Sequence, residues 1–458
     1  MNPLARTLSA FRSDKGLKGQ LLRGGVGSLA VKLGSTLLNV ILAVVLARTL
    51  GAEGFGIYSF VFALITILAI PAQMGLPNLV VRETAKAQAH EDWSLIKGLW
   101  RWSTLMALAM SVALMVLGGV AAWLFATRLP DGGLVVFYWG LILIPLVALG
   151  NLRGAALRGL RHVVQGQLPE FILRPAFLIL LVLGAHFGLS THALSASDAM
   201  MLHALASLIA FVIGAWLLLR ARPAALLSEP GSKSHPRAWL ASALPLALFT
   251  GVQVVNMNVG LVTTGMLSSN EEVGFLRIAL QGATLVSLGL AAANMVASPY
   301  IAQMIESRDL ERLQSFLTYT ARIVTIISIP IIVAYVFLGK ELISIVFGRT
   351  FSPAYVPLII LVFGQLWNSI MSSNDVLLNM AGRERIAVRG VIAGTLVNCF
   401  FCVAFIPNFG ASGAAAAFSA SLFVWNTYLW LKARQLLNLD TSAIAWPPLR
   451  KRSALKES

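Results

Sequence analysis

Polar side chains recur at helical spacing inside long apolar runs, and these are the positions where the chain can do chemistry. Ser28, Lys32, Ser35 and Asn39 are spaced four, three and four residues apart, which puts them on one face of a helix. Gln365, Asn368, Ser372, Asp375 and Asn379 follow a similar pattern much later in the chain. Glu170 and Arg174 stand at i and i+4. Gln253 and Asn256 share a face from which Asn258 is turned away, and Arg277, Gln281 and Thr284 share another. Polar groups are costly in lipid, so these faces are expected to meet protein or a water-filled path. The candidates for lining such a path are Lys32, Asn39, Arg153, Glu170, Arg174, Gln253, Asn256, Arg277, Gln281, Gln365, Asn368 and Asp375.

Each stripe also has a plainer reading. Ser and Asn side chains hydrogen-bond between helices, at about 0.6 kcal/mol per contact on average. Lys32 can snorkel to the interface. Glu170 and Arg174 can simply pair, and Asp375 lies toward the inner end of its run. Catalysis finds no support. The six histidines are scattered, H-E-x-x-H and the phosphate-binding G-x-x-x-x-G-K-[ST] are missing, and no soluble domain is available for nucleotide. Cys399 and Cys402 have C-x-x-C spacing but lie in an apolar run, so they read as packing residues. The chain is expected not to be an enzyme and to hold no metal or cofactor. Coupling to H+ or Na+ is left open.

The elements that position these residues follow from composition. The 458 residues are 57% hydrophobic and 12% charged, against about 25% charged in a soluble domain. Apolar runs long enough to span a bilayer occur near 26–47, 57–80, 103–125, 134–152, 168–187, 199–219, 241–266, 276–300, 320–338, 355–380, 390–407 and 412–431. With the N-terminus inside, 28 of the 35 Lys and Arg residues fall in inside segments and five outside. That asymmetry predicts both termini in the cytoplasm and an even number of spans. It also accounts for the net charge of +16 without nucleic acid as a partner.

Landmarks recur between the halves. Gly56 and Gly274, Pro77 and Pro299, Gly159 and Gly382, and Gly188 and Gly410 are separated by 218 to 223 residues. An offset of six spans predicts parallel repeats, with a central pathway between them. The expected fold is an all-α polytopic membrane protein of about twelve transmembrane helices, in two six-helix lobes around a central cavity. Residues 1–25 form an N-terminal segment, 26–220 the N-lobe, 221–240 a connecting loop, 241–433 the C-lobe and 434–458 a tail. Pro71, Pro145, Pro175, Pro245 and Pro330 are expected to kink spans.

The segment ARTLGAEGFGIYSFVFALITILAIPAQMGLPNLVVRETAK resembles the N-terminal signature of the polysaccharide-transport family, the O-antigen and exopolysaccharide flippases. The matching residues are Leu50, Gly51, Gly56, Tyr58, Gly75, Leu76 and Arg82. LPEFILRPAFLILL, EEVGFLRIAL, LISIVFGRTFSPAYVPLIIL and IPNFGASGAAAA resemble later family segments. The resemblance implies a V-shaped transporter that moves an undecaprenyl-diphosphate-linked oligosaccharide between leaflets by alternating access. In that setting Lys32, Arg153 and Arg174 are candidates to neutralise the diphosphate or acidic sugars. It also implies a bacterial inner-membrane location, a role in surface polysaccharide synthesis, contact with membrane lipid, and a polysaccharide polymerase and glycosyltransferases as partners. Two alternatives stand beside it: an ion-coupled small-molecule exporter of the same superfamily, and a non-transporting scaffold of a glycan-assembly complex.

Overall fold

The structure, a computed structural model, describes residues 17–124, 133–188, 194–228 and 231–445. Residues 1–16 of the expected N-terminal segment and 446–458 of the expected tail lie outside the described residues. The first helices are α1 (Leu17–Leu68), α2 (Ile70–Gln73), α3 (Leu76–Ala89), α4 (Trp93–Leu124), α5 (Gly133–Gly159) and α6 (Val163–Leu168). A π-helical turn (Pro169–Leu173) then leads into α7 (Arg174–Gly188), α8 (Ala196–Ala221), α9 (Ala224–Ser228) and α10 (Pro236–Leu267). After these come α11 (Asn270–Glu306), α12 (Leu310–Val346), a 3-10 turn (Arg349–Ala354), α13 (Tyr355–Ile370), α14 (Asn374–Met380) and α15 (Glu384–Leu437). The described residues contain no strand.

Ten helical segments among the described residues are long and apolar enough to cross a membrane, where the hydrophobic pattern predicts twelve spans. Two of the ten change direction inside. Gly51 (φ 69°) interrupts α1 and Gly410 (φ 51°) interrupts α15. Both take a left-handed φ that glycine adopts without a Cβ clash. Many large apolar side chains point outward, including Leu117 (66% exposed) and Phe337 (76%). Such exposure suits a lipid solvent rather than water.

Two expected spans are not single helices. The run 57–80 ends at Leu68, passes through α2 with Pro71 in its first turn, and restarts at α3 after Met74 and Gly75 take left-handed φ values of 42° and 67°. Pro71 supplies no backbone donor, which favours a break here. The run 355–380 breaks between α13 and α14, where Ser373 is left-handed (φ 59°). By contrast, helices continue through Pro145, Pro245 and Pro330. Pro175 follows the π turn directly.

The chain packs as two units. The first holds residues up to Ile278 together with Ser344–Phe351, and the second holds Ala279–Ile343 and residues from Ser352 onward. By packing, α10 therefore joins the first unit, whereas the span count puts the lobe boundary before it. The core of the first unit gathers Leu76, Leu79, Leu99, Leu152, Leu157 and Trp239. At one end, the connecting loop docks on the start of α4. The Lys233 N–H donates to the Ser94 carbonyl at 3.1 Å, and its ammonium pairs with Asp92 at 3.0 Å. In the second unit, Ile301, Leu313, Leu317, Leu377 and Leu439 form a core. Residues just after α15 fold back onto it: Gln314 donates to the Asp440 carbonyl at 2.6 Å and accepts from its N–H at 2.7 Å. Thr441 and Ser442 are buried, so this part of the expected tail is packed structure.

Candidate functional site

The first unit holds a chain of buried polar groups that begins at Glu170. Pro169 and Glu170 lie in the π turn, and widening the helix there precedes Pro175, which cannot donate to the preceding turn. Glu170 pairs with Arg153 at 3.1 Å and with Arg174 at 3.4 Å. The side chains of Arg153 and Glu170 are only 5% and 9% exposed, whereas Arg174 is half-buried. The sequence pattern places Arg153 in a loop after span four; instead α5 runs on to Gly159 and carries Arg153 inside the bundle. Its Nη1 donates to the carbonyls of Ala210 and Phe211 on α8.

Small residues make this burial possible. A Cβ at Gly214 would collide with the Arg153 guanidinium, and one at Gly150 would collide with the Glu170 carboxylate. Two cations therefore share one carboxylate in a low-dielectric setting, and the group keeps a net positive charge. Burying any of these charges alone would be strongly unfavourable, so the set holds together as a unit.

A second buried contact lies in the same unit. The Tyr58 hydroxyl and His203 Nδ1 are 2.9 Å apart, joining α1 to α8. Phe62 stacks on Tyr58 with centroids 6.2 Å apart and tilts against His203 at 5.0 Å. The Arg277 guanidinium lies 5.9 Å from the Phe62 ring, within cation–π range. Two polar groups, Arg153–Glu170–Arg174 and Tyr58–His203 with Arg277 nearby, thus lie within one unit and make up its polar strip. Sequence reasoning missed His203, grouping it with scattered histidines. Tyr58 was noticed only as part of a motif. A histidine in the middle of an apolar run was the available signal.

The remaining candidates divide between the units. Ser28, Lys32, Ser35 and Asn39 do lie on one uninterrupted helix, with Lys32 and Asn39 exposed. Asn39 bonds back to the Ser35 carbonyl at 2.7 Å, and Ser28 meets Gln167 at 3.1 Å. Gln253 is half-buried, and Asn256 is buried and engaged. In the second unit Gln281 is half-buried, and Asn368 donates to Gln365 at 3.1 Å. The expected single stripe from Gln365 to Asn379 is split by the break at Ser373. The break is held by Asn374 donating to the Met371 carbonyl and Ser373 donating to Asn294, both at 2.6 Å. Asp375 falls in α14, half-buried and on the far side of that break.

The fold and sequence have known counterparts. The chain is 24% identical over 406 residues to the probable low-salt glycan biosynthesis flippase Agl15 of Haloferax volcanii, covering 87% of this chain and 81% of that one. Among solved structures, an inward-facing multidrug resistance MATE family transporter of the MOP superfamily superposes with a TM-score of 0.75 at 14% identity, covering 88% of this chain and 94% of that one. The lipid II flippase MurJ in an inward closed conformation superposes with a TM-score of 0.70 at 13% identity, covering 89% and 87%. These likenesses establish a shared fold, and the apolar helices make the protein a multi-pass membrane protein. The model of the polysaccharide biosynthesis protein family matches residues 21–305, well over half of the chain, and takes in the Tyr58 turn, the Arg153–Glu170–Arg174 group and Arg277; the chain belongs to that polysaccharide-transport family.

Proposed function

We propose that the protein is a flippase for a lipid-linked oligosaccharide, moving it between leaflets by alternating access. The carrier is undecaprenyl diphosphate and the membrane is a bacterial cytoplasmic membrane, with both termini in the cytoplasm. The product feeds surface polysaccharide synthesis, whether O-antigen, capsule or exopolysaccharide. A polymerase and glycosyltransferases act around it. The spans number twelve when each glycine-broken helix is counted twice.

One observation carries this reading: the charge balance of the polar strip. Arg153 and Arg174 stand with the single carboxylate Glu170, and Arg277 lies against Phe62 in the same unit. A net cationic strip suits a diphosphate, whose oxygens accept charge-assisted hydrogen bonds from guanidinium groups. Arg174 and Arg277, half-buried, and Lys32, exposed on α1 outside the strip, have side chains accessible for cargo. Arg153 instead holds Glu170 and the α8 carbonyls, so its role is to position the group. An ion-coupled exporter would need a carboxylate able to exchange its cation; of the two candidates, Glu170 is already held by two arginines, and Asp375 lies in α14 of the second unit. The relative with a glycan flippase description points the same way.

The test is a leaflet-resolved assay of lipid-linked oligosaccharide in a deletion strain complemented with variants. The Lys32→Ala, Arg174→Ala double variant is expected to express normally and lose flipping. Retained flipping would overturn the reading.

A further inference from the structure

A cavity of about 280 Å³ opens in the first unit between α4, α5 and α8. Its walls are mostly apolar, with Leu149, Leu152, Leu218 and Leu219 among them. Two arginines interrupt that apolar lining. Arg153 and Arg222 both stand on the wall, and the Nε of each is buried without a hydrogen-bond partner. Buried polar groups are normally satisfied, so two unpaired guanidinium Nε groups on residues that line one cavity mark a place for an acceptor that the side chains shift to meet. The lining includes no carboxylate to fill that need. Arg153 is the stronger indicator, because its side chain is 95% removed from solvent while its other nitrogens are engaged by Glu170 and backbone carbonyls.

We propose that this cavity binds the anionic headgroup of a membrane phospholipid. The phosphate oxygens would accept from the Arg222 guanidinium and, as the side chains shift to meet them, from the unpaired Nε groups of Arg153 and Arg222. The proximal methylenes would lie along the leucines. Leu219, 58% exposed on the outer face of α8, carries the apolar surface from the cavity toward lipid. The Arg222 guanidinium also lies 6.0 Å from the Trp100 ring, and the Trp100 indole N–H is held by Thr84 at 3.0 Å. Aromatic and basic side chains in this combination are typical of the membrane–water interface. Arg101 and Arg220 stand next in the chain to the lining residues Trp100 and Leu219. Surface basic residues draw anionic lipids to the leaflet they face. A free phosphate would gain nothing from the apolar wall, so the occupant is a lipid. The site shares Arg153 with the Glu170 group but does not depend on the cargo reading, since it requires only that the protein be embedded in a membrane.

The test uses the full-length protein purified in detergent and examined by native mass spectrometry. The probes are dioleoyl phosphatidylglycerol, dioleoyl phosphatidylcholine and inorganic phosphate. The wild-type protein is expected to retain one phosphatidylglycerol at least tenfold more tightly than phosphatidylcholine, and inorganic phosphate should not displace it. Arg222→Gln removes one donor and Ala215→Phe fills the cavity. Each is expected to weaken retention about tenfold. Equal retention of the two lipids, or displacement by phosphate, would overturn the proposal without recourse to variants. Folded variants that both hold phosphatidylglycerol as tightly as wild type would overturn it as well.

Discussion

Arg153 and Glu170 form a buried ion pair 3.1 Å long, linking α5 to the π turn that opens α7. Neither residue can lose its partner cheaply: Arg153 would be left a lone buried charge, and Glu170 would keep only the half-buried Arg174. Arg153→Ala or Glu170→Ala is expected to lower stability by about 3–5 kcal/mol. The double replacement Arg153→Met, Glu170→Leu should recover part of that loss, since it removes both buried charges and leaves only the half-buried Arg174 without its carboxylate. Unfolding of the detergent-solubilised variants measures both outcomes. A double variant no better than the singles would show that the packing, rather than the charge pairing, dominates.

The Tyr58–His203 contact separates a hydrogen bond from ring packing. Tyr58→Phe keeps the stack on Phe62 and removes only the hydroxyl that meets His203. A cost of about 1–3 kcal/mol follows from leaving a buried partner unsatisfied. Tyr58→Ala also removes the ring, and should cost about 3–5 kcal/mol. The gap between the two, read from unfolding midpoints, isolates the packing contribution.

Gly56 and Gly274 are related by the sequence offset, and in the structure they face each other's segments. A Cβ on Gly56 would fall on the Asn270 carbonyl, and one on Gly274 would come within 2.8 Å of the Ala52 carbonyl. Backbone cannot yield as a flexible side chain can. Gly56→Ala is therefore expected to destabilise by about 1–3 kcal/mol. Gly184→Ala makes the control. It has open space and a helical setting, so it should stabilise by about 0.5–1 kcal/mol. Thermal unfolding of the two variants should move in opposite directions.

Docking of the connecting loop should depend on pH through Asp92. Hydrogen bonds from Ser94 and Lys233 hold its carboxyl below the usual carboxylate range. A group whose folded pKa is depressed stabilises above its unfolded value, near 3.8, and loses that contribution as pH falls through the lower folded value. The contact is thus present at neutral pH and lost in acid. Hydrogen exchange at the Lys233 amide, which bonds to Ser94, should be slow at neutral pH and accelerate below that range beyond the intrinsic pH trend. Asp92→Asn should show no such extra acceleration.

Much of the helical framework was legible before any coordinates. Apolar runs of span length must hide their backbone polar groups within helices, and basic residues collect in loops. The stripe from Ser28 to Asn39 was legible for the same reason, because an uninterrupted helix preserves its own periodicity. The Glu170–Arg174 pair was legible because its spacing is local. The stripe from Gln365 to Asn379 was not, since the same spacing rule assumes a helix that Ser373 breaks. That break is held in part by Asn294, a residue about 80 positions earlier that no local pattern connects to it.

Arg153 marks the division most clearly. A charged residue at the end of an apolar run has the signature of a loop, because lipid would reject it alone. Its acceptance into the bundle depends on Glu170 from the next element, on carbonyls of α8 and on the missing side chains of Gly150 and Gly214. Hydrophobicity and helical period are properties of a segment and its solvent, so they dictate that this chain crosses a membrane as helices. Pairing of buried charges is a property of several segments at once. Only their packing turned a basic residue read as a loop charge into the anchor of the polar strip, and left its Nε buried without a partner.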